Sequence, residues 1–173
     1  MSILVDSQII ELATKNGLVT PFNPLLVNPN SLDIRLGNEI MYESESFWGD
    51  SKYKLLNISE CTPTKPYRLQ PNQFILACSL ETFKLPVDIT AQLFLKSSRA
   101  RIGFDHCLAG MCDAGWSGVL TLELKNVNQF SELFIWPGLT IGQLVFHRLD
   151  NVPDKSYQET GRYNNDKSVQ TAK

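Results

Sequence analysis

The stretch GWSGVLTLELKN, Gly115 to Asn126, decides how the chain is read. Leu120, Leu122 and Leu124 alternate with Val119, Thr121, Glu123 and Lys125, the period of a β-strand with one buried face. Glu123 then stands in the middle of the other face. Two readings are open. It is either an ordinary carboxylate on a half-solvated sheet or a base lining a cleft.

Similar signals recur around this strand. They are "YRLQ", "QFILACSL", "ITAQLFLKS", "ELFIWP" and "TIGQLVFHRL". Turn residues punctuate them at Pro71-Asn72, Leu85-Pro86, Gly103, Gly115 to Gly118 and Pro137-Gly138. Upstream, "SLDIRLGNEIMY" alternates Leu32, Ile34 and Leu36 with Asp33 and Arg35, again strand-like. One helix is expected, in "DSQIIELATKNG". Asp6 or Ser7 would cap it, Glu11 and Lys15 would pair, and Gly17 would stop it. "TPFNPLLVNPNS" is broken by prolines and reads as loop or edge. Residues 43–57 show no clear period and read as an excursion. Many short strands with one helix predict an all-β sandwich or barrel. From Asn151 the chain turns polar, a composition expected to fray, with Tyr157, Arg162 and Tyr163 as hints of a segment that orders over a ligand. In "TIGQLVF", Gly142 marks a bend or a close approach of another backbone.

Composition narrows the function. A chain of 173 residues suits one domain, 1–173, and 43% hydrophobic content supports a core. A net charge of -2 argues against a nucleic-acid polymer as partner. No run approaches ~18 apolar residues, so no membrane span is expected. "MSILVDSQII" meets Asp6 early and is not expected to be a signal peptide. Cys61, Cys78, Cys107 and Cys112 contain no CxxC pair and read as reduced thiols of a cytoplasmic protein.

Two segments invite chemical readings. "FLKSSRARIG" gathers Lys96, Ser97, Ser98, Arg99 and Arg101, hydroxyls flanked by cations that suit phosphate oxygens. A basic surface turn is the plain alternative. "HCLAGMCDAGW" offers His106, Cys107, Cys112 and Asp113, yet their spacing fits no standard zinc pattern, and no metal site is expected.

Taken together, "NPNSLDIRLGNEI", "LQPNQFILACSLETFKLPVDITAQLFLKSSRARIG", "CDAGWSGVLTLELKN" and "WPGLTIGQLVF" resemble the deoxycytidine triphosphate (dCTP) deaminase family. That family shares its fold with the trimeric deoxyuridine triphosphatases. The resemblance implies a distorted jelly-roll-like β-barrel and a homotrimer with active sites between subunits. It implies metal-independent, hydrolytic deamination of dCTP to dUTP and ammonia, with Mg2+ carried by the substrate triphosphate. Glu123 would be the proton carrier, with Ser97 and Arg101 supporting it. Lys96, Ser97, Ser98, Arg99, Ala100 and Arg101 would bind the nucleotide. Thr121 and Leu122 fall where backbone groups read the base, Asp113 where the sugar is held, and the backbone of Ala109 where the attacking water or the exocyclic group is fixed. Tyr157 and Arg162 would close from a tail, residues 151–173.

The chain departs from the family pattern in three places. Arg99 stands where an apolar residue is usual, the loop from Gly103 to Asp113 is about one residue short, and Asn165-Asp166 stand where a glutamine is usual. The compressed tail favours dUTP as the end product. The presence of both Asp113 and Glu123 keeps a triphosphatase or bifunctional, dUMP-forming alternative open. A non-catalytic nucleotide-binding regulator is the third reading.

Overall fold

The structure is a computed structural model that describes residues 2–44 and 52–172. Six longer strands carry the fold: β1 (Ser31–Glu43), β2 (Tyr53–Asn57), β3 (Phe74–Lys84), β4 (Ile89–Leu95), β5 (Ser117–Asn126) and β6 (Thr140–Arg148). They join in one curled antiparallel sheet that runs from Met111–Cys112 through β4, β6, β1, β3 and β5 to Phe104–Asp105. Tyr67–Leu69 and Leu133–Ile135 pair in a separate two-stranded sheet. The expected all-β class, with a short N-terminal helix, is what the chain adopts.

The alternation in each strand explains its place. In β5, Leu122 and Leu124 are buried while Thr121, Glu123 and Lys125 are not fully so. In β1, Leu32, Ile34 and Leu36 enter the same core, whose largest members include Phe83 and Phe146. The pairing of β3 with β5 slips between Val119 and Thr121. There the Ser79 hydroxyl accepts from the Leu120 N–H at 2.9 Å and donates to the Glu81 carbonyl at 2.6 Å. A side chain thus replaces the missing ladder partner. Buried Glu81 accepts from both the N–H and Nε of Arg35, at 3.0 and 2.7 Å, so its charge is compensated. At the end of β5, buried Asn126 donates to the carbonyls of Leu69 (3.0 Å) and Ser131 (2.8 Å).

Helix α1 spans Asp6–Asn16 and stops at Gly17, whose φ of 66° is left-handed. Glu11 and Lys15 pair at 2.9 Å, as their spacing predicts. The start differs from expectation. Asp6 is already helical, and the Val5 N–H is satisfied by Gln8 Oε1 at 3.1 Å. The proline-rich segment forms a 3-10 turn at Pro24–Leu26 and a two-residue strand, Val27–Asn28. The predicted excursion over 43–57 is corrected at its end, where β2 pairs with β1 from Glu39–Asn57 to Glu43–Tyr53. The rest of that excursion, 45–51, lies outside the described residues. Gly142 makes the predicted close approach, since a Cβ there would lie 2.9 Å from Leu93 Cδ1 and 3.1 Å from the Phe94 carbonyl oxygen.

The polar tail does not fray. Asn165 N–H donates to the Ser117 carbonyl at 2.7 Å, and Val119 N–H donates to the Asp166 carbonyl at 2.8 Å. Gly118 and Asp166 form a parallel bridge. Val169, 1% exposed, packs on Leu76 and Cys78. The tail therefore lies along β5, with backbone pairing and one apolar anchor offsetting its polar composition. Among the described residues no helix is long and apolar enough to cross a membrane.

Candidate active site

The outer face of β5 forms one wall of a cleft of about 670 Å³. Thr121 and Glu123 project into it because they alternate with the core leucines. Phe74 and Leu76, from the neighbouring strand β3, line the cleft beside Glu123. Glu123 Oε2 is shielded from solvent and has no hydrogen-bond partner among the described residues. Burial pushes this carboxyl above its ordinary value, opposed by a hydrogen bond from its own backbone N–H. An unpartnered buried oxygen is costly and unusual, which favours the cleft reading of the opening question.

The segment from Leu108 to Asp113 also lines the cleft. Cys107 and Leu108 adopt left-handed φ angles of 53° and 58°, rare for residues with a Cβ. Gly110 then approaches β4 closely, its carbonyl accepting from the Leu93 N–H at 2.7 Å. A Cβ at Gly110 would lie 2.7 Å from the Leu93 carbonyl oxygen. This contortion brings Ala109 and Asp113 to the cleft. Asp113 is exposed, and its carbonyl accepts from the Trp116 N–H at 3.1 Å, closing the turn before β5. Cys112 also lines the cleft, but burial, with Asp113 adding repulsion, pushes its thiol up to about 12. It stays protonated at neutral pH and does not suit a thiolate nucleophile or ligand.

Several expected residues are brought together and others are not. Glu123, Thr121, Ala109, Asp113 and Tyr157 share the cleft. Leu122 turns its side chain into the core, leaving only its backbone for a ligand. Arg162 is exposed and does not line the cleft. The segment from Lys96 to Arg101 lies outside it altogether. Helix α2, Ser97–Ala100, exposes Ser97, Ser98 and Ala100, and Arg101 follows, also exposed. Arg101 makes no ion pair among the described residues, and within one chain it does not line the cleft with Glu123. Lys96 is ion-paired with Asp33, and Arg99 Nε donates to the Thr140 carbonyl at 2.9 Å. Two of the three cations are thus engaged by the protein itself.

Sequence reading pointed to Tyr157 and Tyr163 of the tail but missed Trp116 and the last tail residues of the cleft. Trp116 stacks near Phe83 at 6.4 Å and donates from Nε1 to the Tyr163 carbonyl at 2.8 Å. Its position directly after the "DAG" turn was an available signal. Gln170, Thr171 and Ala172 enter the same cleft, and the Gln170 N–H donates to Thr121 Oγ1 at 3.2 Å. Nothing local in "SVQTAK" announces this.

Comparisons with known proteins bear on the family and the fold. A family profile described as dCTP deaminase-like matches residues 3–149. A protein of Aquifex aeolicus named "dCTP deaminase, dUMP-forming" is 39% identical over 173 residues, covering 96% of this chain and 92% of that protein. One of the same name from Methanoculleus marisnigri is 39% identical over 161 residues, covering 86% and 81%. Among solved structures, the 2'-deoxycytidine 5'-triphosphate deaminase of Agrobacterium tumefaciens superposes with a TM-score of 0.67 at 22% identity. That match covers 84% of this chain and 47% of the longer Agrobacterium chain, and it speaks to the fold.

Proposed function

The chain belongs to the dCTP deaminase-like family, and on that premise we propose that it deaminates dCTP and carries the product on to dUMP. The observation that carries this reading is the buried, unpartnered oxygen of Glu123 in a cleft that also holds Asp113. A carboxyl raised by burial is better matched to proton transfer near neutral pH. Water adds to C4 of the cytosine ring, Glu123 takes its proton, and N3 is protonated. The protonated Glu123 supplies the N3 proton, then takes the proton of the C4 hydroxyl and hands it to the amine, so that the C4–N bond breaks, ammonia leaves and the C4 carbonyl of dUTP forms. Such a positioned acid/base supplies roughly 10²–10⁴-fold, and orientation and local dipoles supply the remainder.

The second step consumes another water. Attack at the α-phosphate of dUTP releases pyrophosphate and leaves dUMP. Exposed Asp113 is the carboxylate suited to activate that water. The compressed tail favours dUTP as the end product. The relatives at 39% identity are named dUMP-forming, and they move the reading to the bifunctional alternative.

A single chain provides half of the site. Ser97, Ser98 and Arg101 are exposed and do not line the cleft that holds Glu123, which fits a homotrimer in which one subunit's Ser-rich turn completes another's cleft. Mg2+ enters with the substrate, riding on its triphosphate. The described residues contain no group of three His, Cys, Asp or Glu side chains that could hold it. Residues 1–173 act as one domain whose tail, through Tyr157 and the segment after it, covers the cleft.

One assay tests the reading. The chain is incubated with dCTP and Mg2+, and dCTP, dUTP, dUMP, pyrophosphate and ammonia are resolved. Equal yields of ammonia, dUMP and pyrophosphate are expected. Ammonia with accumulating dUTP restores the monofunctional reading. Binding without either product assigns the chain as a regulator.

A further inference from the structure

The Ser-rich turn is braced from behind by a residue that no part of the reaction has used. Asp33 sits on β1, opposite Gln143 of β6. Both of its carboxylate oxygens are engaged. Oδ1 accepts from Asn28 Nδ2 at 2.8 Å, and Oδ2 accepts from the Lys96 ammonium. The Lys96 backbone is held too, its N–H donating to the Ile141 carbonyl at 3.1 Å. The pair is asymmetric. The Asp33 side chain is 12% exposed and that of Lys96 is 27% exposed.

This asymmetry has a consequence for an incoming anion. The carboxylate is the more buried partner and is tied in place by Asn28. The ammonium is the more accessible one. An ammonium carries three N–H donors, and a carboxylate oxygen on one of them leaves donors for phosphate oxygens. An unbraced lysine would have to lose the rotational freedom of a long side chain on binding. Here that freedom is already lost in the free protein, the general route by which preorganisation raises affinity. The carboxylate charge itself opposes a phosphate, so the two effects have opposite signs. The fixed geometry and the partial burial of the pair favour preorganisation.

We propose that Asp33 is a positioning residue for the substrate's triphosphate. It aims the Lys96 ammonium from β1, across the intervening strand β6, so that Lys96 meets phosphate oxygens beside Ser97 while remaining paired to Asp33. The inference rests on the nucleotide reading above. It adds a residue 63 positions away in sequence to the phosphate site.

The experiment compares two nucleotides on the full chain. Equilibrium binding of dCTP and of dCMP is measured with Mg2+ for the unmutated chain, Asp33→Asn, Lys96→Met and the double variant. Asp33→Asn is expected to weaken dCTP about tenfold and dCMP less than twofold. The double variant is expected to be no weaker than Lys96→Met, because the two residues act as a unit. A merely structural role would weaken both nucleotides alike. Equal losses, unchanged or tighter dCTP binding, or additive losses overturn the proposal. If Asp33→Asn does not fold, Lys96→Met alone decides, and an equal loss for the two nucleotides overturns it. Ammonia release is followed in parallel. A chain that binds dCTP but releases no ammonia refutes the deamination reading and leaves the Asp33 comparison standing. A chain that binds neither nucleotide refutes both.

Discussion

Strand β5 and the turn after β4 present chemistry in opposite ways. On β5, Glu123 presents one shielded, unpartnered oxygen beside the apolar side chains of Phe74 and Leu76. On the turn, Ser97, Ser98 and Arg101 stand in solvent, while Lys96 and Arg99 are tied down. The first is a place where charge is expensive and proton affinity is tuned. The second is a place where a highly charged group can be met without prior desolvation. Separating the two lets each be built without compromising the other, and under the proposed trimer it leaves one subunit's turn to complete another's cleft.

The comparison breaks most sharply at Glu123. Glu123→Gln keeps shape but cannot take a proton. Ammonia release should fall by roughly 10²–10⁴-fold with dCTP binding retained. Full activity in this variant, measured by steady-state ammonia release, refutes the assignment. Asp113→Asn tests the second carboxylate. dUMP formation should stop while ammonia release continues, so dUTP accumulates on nucleotide chromatography.

Mixing subunits sharpens the separation itself. Chains carrying Ser97→Ala and chains carrying Glu123→Gln should each be inactive. If a site draws Ser97 from one subunit and Glu123 from another, random assortment in equal mixtures restores roughly one quarter of the sites. No recovery after dissociation and reassembly places both residues in one subunit's site.

Two smaller effects concern the β5 side alone. Val169→Ala removes the buried anchor of the tail and should cost about 1–3 kcal/mol, read from denaturant unfolding. Glu123 should also make stability depend on pH. Its folded pKa lies above the unfolded value of 4.5, so the folded chain binds the proton more tightly. The associated stability is fully present below about pH 4.5 and is lost as pH rises through the raised folded value. Glu123→Gln should therefore gain in melting temperature relative to the unmutated chain as pH rises from acidic to neutral. A difference independent of pH would show that Glu123 titrates normally.

Much of the architecture was legible because period-2 burial is a local property. The alternation in β1 and β5, the stop at Gly17 and the close approach at Gly142 all follow from residues within a few positions. Glu123 was visible as an anomaly on its strand, though alternation alone could not separate a cleft from a solvated face. What was not legible depends on distant partners. Lys96 and Arg99 read as phosphate ligands, yet Asp33 and Thr140, on other strands, engage them. The tail read as frayed because its order rests on pairing with β5 and on the single buried Val169. The strand Tyr53–Asn57 was hidden because its residues are largely exposed and its register comes from β1.

The tail's course carries a consequence for apparent affinity. Gln170, Thr171 and Ala172 enter the cleft that a nucleotide would need. A ligand that requires this space binds only the molecules whose tail has lifted, so its apparent Kd is the intrinsic Kd divided by that fraction. If the lifted fraction is about 1%, apparent binding is about 100-fold weaker than the cleft itself would allow. Shortening the chain after Lys167 removes that toll together with any contacts the tail makes to bound nucleotide. The change in affinity then reports which of the two is larger.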